Sequence, residues 1–365
     1  MIRFSLLASS WKKFDWILAL GVIMLSFIGL AAIYSVDLSR GDTLIYTPTQ
    51  ILALVIAVIV FFVASQFHVS FYESTSRLAY LVAFILLVAV LFFGVNVRGT
   101  TGWFRIFGFS LQPAEIAKVS LIMFLAWRTE RQARRFDRWQ FVAATLVMTL
   151  VLAGLIMLQP DLGSAVILLG SWFGLLLLTG TKRKYIIGLV ALAVVVAVVG
   201  WFFLLKGYQK ERLMTFADPG RDPLGAGYNV TQSIIAVGSG QMMGRGLGFG
   251  SQSQLHFLPE AQTDFIFSVI SEELGFIGVI LVLGLYLLVL WRLVRIARGC
   301  RSDFSAYLVL GVSLIFLFHM IINIGAAVGL LPVTGVTLPF LSYGGSSLII
   351  SFLLIGIAES AARSS

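Results

Sequence analysis

The stretch from residue 16 to residue 36, WILALGVIMLSFIGLAAIYSV, contains no charged residue and is long enough to decide the fold. A helix that crosses a bilayer needs about 20 predominantly apolar residues. Nine further stretches of similar character follow. The ten predicted spans are 16–36, 48–67, 78–97, 112–127, 141–158, 162–179, 185–205, 266–291, 304–331 and 342–362. We therefore predict an all-α integral membrane protein, a polytopic bundle of about ten transmembrane helices that forms a single domain over residues 1–365.

The composition excludes an ordinary soluble protein. Of the 365 residues, 59% are hydrophobic and 12% are charged, whereas soluble domains average about 45–50% apolar and about 25% charged residues. The apolar stretches lack the two-residue alternation of strands in a membrane barrel, so their backbone polar groups must be satisfied within helices. With one cysteine and three scattered histidines, neither a disulfide nor a structural zinc site is expected.

The distribution of basic residues predicts the orientation. If the N-terminus is cytoplasmic, 17 of the 26 lysines and arginines fall in segments on the cytoplasmic side, as the positive-inside rule requires. Both termini then lie in the cytoplasm. The net charge of +9 would suggest a nucleic-acid partner for a soluble protein. Here anionic lipid head groups explain the charge, so membrane lipids are the expected partner and nucleic acid is not.

One long segment, residues 207–265, interrupts the pattern of short connections and is predicted to be an extracytoplasmic loop. It contains ten glycines and several charged residues, and long ordered loops usually carry function. The run GRGLGFG at 244–250 resembles a phosphate-binding motif in composition alone, because no strand precedes it and no Gly-Lys-Ser/Thr ending closes it. A nucleotide site is therefore rejected.

Charged residues in or at the ends of spans are informative, since an ion at the bilayer centre costs about 2.5–3.5 kcal/mol. In the run QPAEIAK at 112–118, Glu115 lies near a helix start and Lys118 follows three residues later on the same face. Asp161 occupies a similar position at the start of a later helix. Two interpretations remain open. Either the two acids complement helix N-termini and Lys118 pairs with Glu115, or all three residues line one polar cavity that opens outward.

Three further residues are candidates. Trp103 and Arg105 lie in the short outer loop 99–110, where an interfacial anchor and a solvated charge are the simplest interpretation. Asp264 lies where the long loop enters the eighth span, with apolar residues on its C-terminal side. Partial desolvation there would make its carboxylate more basic, as a general base requires. Alternatively, Thr263 and Asp264 cap the helix, and the two interpretations carry equal weight.

Five motifs, taken together and in order, resemble those of the SEDS family (shape, elongation, division and sporulation proteins). They are QPxE at 112–115, QPDLG at 159–163, DPLGAGY at 222–228, LPExxTDF at 258–265 and LPFxSYGGS at 338–346. The resemblance covers nearly the whole chain. The run QSQLxFLP at 252–259 is similar to the RodA (elongation) branch rather than to the FtsW (division) branch. Ala114 replaces the usual serine of the first motif, which is a small change.

The resemblance implies a peptidoglycan glycosyltransferase of the bacterial cytoplasmic membrane. Such proteins polymerise lipid II, the undecaprenyl-pyrophosphate-linked disaccharide-pentapeptide, into glycan strands outside the membrane. The family's essential acid matches Asp264, its extracellular-loop tryptophan matches Trp103, and its cavity charges match Glu115, Lys118 and Asp161. These residues are therefore the expected site.

The reaction implied by the resemblance releases undecaprenyl pyrophosphate, so cations near the site should stabilise the departing charge. Arg105, Lys118 and Arg245 are the candidates, and only Lys118 has support from the family. A divalent cation, Mg²⁺ or Mn²⁺, is compatible with this chemistry, and no cofactor is otherwise expected. The resemblance also implies a class B penicillin-binding protein as partner. That partner would supply the transpeptidase, since the chain has no Ser-x-x-Lys followed by Lys-Thr-Gly.

Two alternatives from other functional classes remain. A transporter that moves lipid II across the bilayer would also consist of many spans around a polar groove. It would need charged residues near the middle of the membrane and access from both faces, whereas these charges cluster at the outer ends of helices. A catalytically silent scaffold for a penicillin-binding protein would tolerate substitution of the carboxylates.

Overall fold

The computed structural model describes residues 14–40, 44–97, 100–106, 109–132, 138–204, 207, 210, 214–216, 218, 221 and 225–364. The long helices are α1 (Trp16–Leu38), α2 (Tyr46–Gln66), α3 (Val69–Phe93), α4 (Pro113–Arg131), α5 (Trp139–Leu158), α6 (Leu162–Leu178), α7 (Arg183–Val199, continued by a π-helical turn over Gly200–Leu204), α10 (Ile266–Gly299), α11 (Asp303–Ala327) and α12 (Gly345–Ser364). The short helices are α8 (Ala226–Ser239) and α9 (Ser251–Gln254). The strands are β1 (Val95–Val97), β2 (Thr100–Ile106) and β3 (Phe109–Leu111).

The predicted helical membrane bundle is confirmed. Eight of the long helices are long and apolar enough to cross a bilayer. The other two are α4, which carries Glu115 and Lys118 in its first turns, and α6, which has 17 residues. Together they account for the ten predicted spans. The short turn at Pro160 and Asp161 between α5 and α6 is also present as predicted.

Two helices differ by the most from their predicted bounds. Helix α3 begins at Val69 rather than at residue 78, because the His68 side chain accepts the Ser70 N–H and caps a polar first turn. Helix α10 continues to Gly299 rather than ending at residue 291. Arg292, one residue beyond the predicted end of this span, therefore lies on the helix.

The segment between α3 and α4 was predicted as the end of a span and a short loop, and it forms a small antiparallel sheet instead. The strand order is β1-β2-β3, with Trp103 opposite Val95 and Arg105 opposite Ser110. Gly94 ends α3, and the threonines and aromatic residues that follow favour extended backbone. The sheet packs against α3 and α4. We call this end of the bundle the site end, and the other the opposite end.

Helices α11 and α12 form the centre of the bundle. Most of their residues are buried, and α11 packs against α10, α4 and α6, while α12 packs along α2. Helix α7 is peripheral, because none of its described residues between 183 and 199 is buried. The helices that carry the candidate residues are therefore central or next to the centre.

The described part of the predicted long loop, 207–265, is folded onto the bundle. Helix α8 packs against α10 and α11, and α9 follows after a glycine-rich turn. Residues 222–224 of the DPLGAGY motif lie outside the described residues. The loop therefore contributes ordered structure directly beside the start of α10.

Candidate functional site

The backbone around Asp264 is held by hydrogen bonds to three consecutive carbonyl groups. The pairs are Tyr343 N–H to the Gln262 carbonyl (2.8 Å), Ser342 Oγ to the Thr263 carbonyl (2.7 Å) and Asn323 Nδ2 to the Asp264 carbonyl (2.9 Å). Buried carbonyl groups need such partners when the chain is not helical. Two elements that are distant in sequence, α11 and the connection 328–344, thus fix the position of Asp264.

The structure begins α10 two residues after Asp264, and the cap position is Phe265, which makes no side-chain capping bond within the described structure. The Thr263 hydroxyl donates to Glu260, so Thr263 is not the capping residue.

The Asp264 side chain is partly exposed and lines a narrow cleft. The other walls come from α11, with Asn323 among its residues, and from the segment 333–336. Two further polar atoms of this cleft, Asn323 Oδ1 and Thr334 Oγ1, are buried without a hydrogen-bond partner in the described structure. The free volume is about 10 Å³, the space of one water molecule. The cleft thus presents the partly exposed Asp264 carboxylate beside a space for one water molecule, which Asn323 Oδ1 and Thr334 Oγ1 are suited to bind.

Lys118 and Glu115 form a buried ion pair on the first turns of α4. The Lys118 Nζ lies 2.8 Å from Glu115 Oε1, and the two residues are only 1% and 6% exposed. Lys118 Nζ also lies 3.0 Å from His319 Nε2, while His319 Nδ1 lies 2.9 Å from the Thr337 carbonyl. Because an ammonium group only donates and a carbonyl only accepts, these partners place the imidazole proton on Nδ1. The predicted pairing of Lys118 with Glu115 is confirmed.

One face of α11 joins this ion pair to Asp264. His319 and Asn323 lie four residues apart, so their side chains project from the same face of the helix. His319 contacts Lys118 and the Thr337 carbonyl, and Asn323 donates to the carbonyls of Val336 (2.7 Å) and Asp264. The ion pair and the Asp264 backbone are therefore both held by α11, which also bonds the adjacent carbonyls of Val336 and Thr337.

Asp161 belongs to the same end of the bundle. It caps α6 by accepting the Ser164 N–H (2.9 Å), and it also accepts from Gln112 Nε2 (3.1 Å), the residue that precedes α4. Gly163, two residues later, packs closely against the segment 334–336 that lines the cleft. The helix-complementing interpretation of Asp161 is thus correct in its geometry, and the residue also lies next to the walls of the cleft.

The remaining predicted residues lie at the margins. Trp103 is partly buried on β2, and Arg105 is exposed two residues later. Arg245 is exposed on the glycine-rich turn, where its Nε lies 3.4 Å from the Ser239 carbonyl and its backbone N–H donates to Glu272. The structure therefore pairs Glu115 with Lys118, holds the Asp264 backbone from the same face of α11 and places Asp161 beside the cleft walls. Arg105 and Arg245 lie on the surface of the site end.

Comparison with known proteins identifies the family. The family model described as "Cell cycle protein", which covers FtsW, RodA and SpoVE, matches residues 11–365. The chain belongs to the SEDS family. The resemblance predicted from the five motifs is confirmed.

Individual SEDS relatives are similar over nearly their full lengths. The chain is 36% identical to the probable peptidoglycan glycosyltransferase FtsW of Trichlorobacter lovleyi, covering 94% of this chain and 92% of the relative. It is 38% identical to the peptidoglycan glycosyltransferase MrdB of Escherichia coli K12, covering 84% and 83%. A solved structure described as "Structural coordination of polymerization and crosslinking by a peptidoglycan synthase complex" contains a chain with 32% identity and a TM-score of 0.81, covering 96% and 98%.

Sequence reasoning missed three residues of this SEDS site, His319, Asn323 and Ser342. Each makes its contact across 59 or more positions of sequence. The four-residue spacing of a histidine and an asparagine within an otherwise apolar span was the available signal, because polar residues inside spans usually face a polar partner.

A divalent cation finds no ready-made site in the part of the chain that the structure describes. No three His, Cys, Asp or Glu side chains are grouped there as metal ligands would be. The described residues of this SEDS protein thus do not fit a cation held by protein ligands alone. We derive no catalytic step through such an ion.

Proposed function

We propose that this SEDS protein is a peptidoglycan glycosyltransferase that polymerises lipid II and that Asp264 is its general base. The observation that carries the proposal is the Asp264 carboxylate at the rim of a cleft, on a backbone held by three separate donors. Preorganisation of this kind places a base at a fixed distance from its substrate hydroxyl, which efficient proton transfer requires.

In the proposed reaction, Asp264 accepts the proton of the 4-hydroxyl group of the acceptor GlcNAc. The oxygen of that hydroxyl group forms a bond to the anomeric carbon of the donor MurNAc. The bond from that carbon to the pyrophosphate oxygen breaks, the configuration inverts from α to β, and undecaprenyl pyrophosphate departs. Lys118 supplies a fixed positive charge that stabilises the developing anion. Its burial supports this role, because charge interactions are stronger where water is excluded.

The other predicted residues have substrate-binding roles in this proposal. Trp103 and Asp161 lie on elements that surround the cleft and α4, and Glu115 orients Lys118. Arg105 and Arg245 are exposed cations of the site end, suited to contacts with pyrophosphate groups at the membrane surface. A divalent cation would have to be bound largely by the substrate's own phosphates, as is common for Mg²⁺.

The location and partner are part of the same proposal. We infer a cytoplasmic-membrane protein of bacteria with both termini in the cytoplasm, because that orientation places most basic residues inside. The similarity to a chain of a complex described in terms of polymerisation and crosslinking supports a class B penicillin-binding protein as partner. The sequence identities to the FtsW and MrdB relatives are about equal. The proposed assignment to the elongation branch therefore rests on the run at 252–259.

A lipid II transporter is less well supported. Glu115, Lys118, His319 and Asp264 all lie toward one end of the bundle, whereas transport requires a polar path with access from both faces. The relatives named above as glycosyltransferases also favour chemistry. Formation of glycan strands from lipid II in detergent separates the two functions, since transport has no meaning there.

The test is polymerisation by purified Asp264→Asn. Loss of a general base typically lowers the rate by about 10²- to 10⁴-fold, so we expect short products or none from a protein that inserts and folds normally. Asp303→Asn, the same chemical change at the opposite end of the bundle, is the control and should polymerise normally. Normal product length and rate from Asp264→Asn would remove this residue from catalysis.

A further inference from the structure

Helix α10 is interrupted one third of the way along its length. Gly275 has φ 63° and ψ −163°, which is not helical. In an uninterrupted helix the N–H groups of Phe276 and Ile277 would donate to the carbonyls of Glu272 and Glu273, four residues earlier. At this break all four backbone groups need other partners, because buried polar groups of the backbone are almost always bonded.

The glycine-rich segment 240–254, which we call the strap, supplies these partners. The Phe276 and Ile277 N–H groups donate to the carbonyls of Gln241 (2.8 Å) and Met242 (3.2 Å). In the other direction, the N–H groups of Arg245 and Gly246 donate to the carbonyls of Glu272 (3.0 Å) and Glu273 (2.9 Å). The strap thus replaces two hydrogen bonds of the helix by four of its own.

The contact between strap and helix is made by bare backbone. A Cβ atom on Gly244 would overlap the Glu273 carbonyl, and one on Gly275 would overlap the backbone of the strap. Gly244 also has φ +76°, in the region that favours glycine. The glycine-rich composition that resembled a phosphate-binding loop is therefore explained by close approach to α10.

The side chains of Glu272 and Glu273 reinforce the strap. Glu272, which is fully buried, accepts the N–H groups of Gln252 (2.8 Å) and Ser253 (3.2 Å) at the start of α9. Glu273 accepts the Gly248 N–H (3.3 Å) and the Ser35 hydroxyl of α1. Two adjacent buried acids thus bond to one loop and to the neighbouring helix.

Because of the break, the segment 266–274 is a short helix whose two ends are held by different elements. One end follows Asp264, and the other is joined to the rest of α10 through Gly275 and the strap. We propose that the strap positions Asp264, and that Glu272 and Glu273 are positioning residues of the reaction. This inference rests on the proposed function.

A purely structural role makes a different prediction. If the strap only stabilises the fold, its disruption lowers the folded fraction and leaves each folded molecule fully active. If it positions Asp264, its disruption lowers kcat per folded molecule while the KM for lipid II stays near its normal value. A misplacement of about 1 Å in a catalytic group lowers the rate by up to about 10²-fold.

The experiment compares Gly244→Ala with Gly180→Ala, which lies outside the strap, in the full chain. Both glycines have positive φ, +76° and +74°, so both substitutions introduce similar backbone strain. A Cβ on Gly244 collides with α10, whereas one on Gly180 meets no described atom within 4 Å. We expect Gly244→Ala to have a kcat about 10- to 100-fold below that of Gly180→Ala at equal folded fraction. We also expect faster hydrogen exchange in the peptide 262–274. Equal kcat and equal exchange in the two variants would overturn the proposal.

A second variant keeps the test decisive if Gly244→Ala fails to fold. Glu272→Gln places an amide NH₂ against the backbone donors of the strap while preserving side-chain size, and it should reproduce the fall in kcat with little change in KM. A normal kcat for Glu272→Gln would overturn the proposal. The exchange measurement does not depend on activity. Unchanged hydrogen exchange in the peptide 262–274 of Gly244→Ala refutes the proposal that the strap positions Asp264, whereas absent polymerisation by the unmodified protein refutes the proposed function.

Discussion

Two clusters of buried charge lie at the two ends of the bundle, and they are built differently. At the site end, Lys118 contacts one carboxylate and one imidazole. At the opposite end, the Arg292 guanidinium contacts both carboxylate oxygens of Asp15, with Nε–Oδ distances of 2.8 and 3.0 Å. A bidentate pair between an arginine and a carboxylate is a strong interaction, because both carboxylate oxygens accept charge-assisted hydrogen bonds.

The cluster at the opposite end joins three helices. Asp15 also caps α1 by accepting the Leu18 N–H, and its own N–H donates to Glu359 of α12 at 3.1 Å. Arg292 comes from α10. These contacts hold together the starting and finishing helices of the chain, so the cluster acts as a structural tie.

The cluster at the site end contacts α11, and the same face of α11 also bonds the backbone of Asp264. Lys118 makes one of its contacts to His319, which can accept only because its other nitrogen donates to a backbone carbonyl. The difference between the clusters indicates that buried charge alone does not mark a catalytic site in a membrane protein. What distinguishes the proposed site is that α11 places the ion pair next to the cleft lined by Asp264.

Among the substitutions that test this comparison, Lys118→Met has the largest expected effect. Removal of one electrostatic donor from a preorganised site typically lowers the rate by about 10²- to 10³-fold, and we expect that loss in lipid II polymerisation. The substitution also leaves Glu115 buried without its cation, which typically costs about 3–5 kcal/mol of stability. Rate and thermal stability must therefore be measured together.

The double variant Lys118→Met/Glu115→Gln separates these two effects. It removes both charges, so thermal stability in detergent should return toward that of the unmodified protein while polymerisation stays low. Recovery of polymerisation in the double variant would mean that the site-end pair is a structural tie like Asp15 and Arg292, and the comparison between the clusters would fail.

Arg292→Met should have the reverse effect. It removes the guanidinium that contacts both carboxylate oxygens of Asp15, and we expect a loss of about 3–5 kcal/mol in the free energy of unfolding, with normal polymerisation per folded molecule. Arg295→Met is the matched control, because both arginines lie 5.5 Å from the Trp291 ring centroid but only Arg292 contacts Asp15. A loss of kcat in folded Arg292→Met would assign the opposite end a part in catalysis.

These contrasts show which parts of the molecule the sequence can predict. The ten helices follow from apolar runs, and the Lys118–Glu115 pair follows from a three-residue spacing, which is a local property of a helix. The position of Asp161 at a helix start is local in the same way. Each of these predictions was confirmed because no distant part of the chain is needed to define it.

The contacts that give the two clusters their different character are not local. Lys118 and His319 are 201 positions apart, and Asp15 and Arg292 are 277 positions apart. The break in α10 at Gly275 was not predicted either, because a glycine within an apolar run indicates a break only when a second segment supplies the missing hydrogen bonds. The small sheet was missed because its strands are short and the first begins directly after the apolar helix α3.

Asn323→Ala should have a smaller effect than loss of either buried cation. It removes the donor to the carbonyls of Asp264 and Val336, and a buried acceptor left without a partner costs about 1–3 kcal/mol. We expect kcat for polymerisation to fall about tenfold as the backbone at Asp264 relaxes. Ser313→Ala on the same helix loses only a bond within its own helix and should polymerise normally. Equal rates in the two variants would disconnect α11 from the site.

The smallest effect is expected on α7, which has no part in either cluster. A Cβ on Gly188 meets no described atom within 4 Å, whereas one on Gly174 of α6 lies 2.7 Å from Leu314. Gly188→Ala should change stability by less than about 0.5 kcal/mol, and Gly174→Ala should lose about 1–3 kcal/mol through overpacking. Thermal unfolding in detergent measures both, alongside polymerisation. Because lipid can adjust to one added methyl group and a packed helix cannot, impaired polymerisation by a stable Gly188→Ala would mean that α7 contacts the substrate.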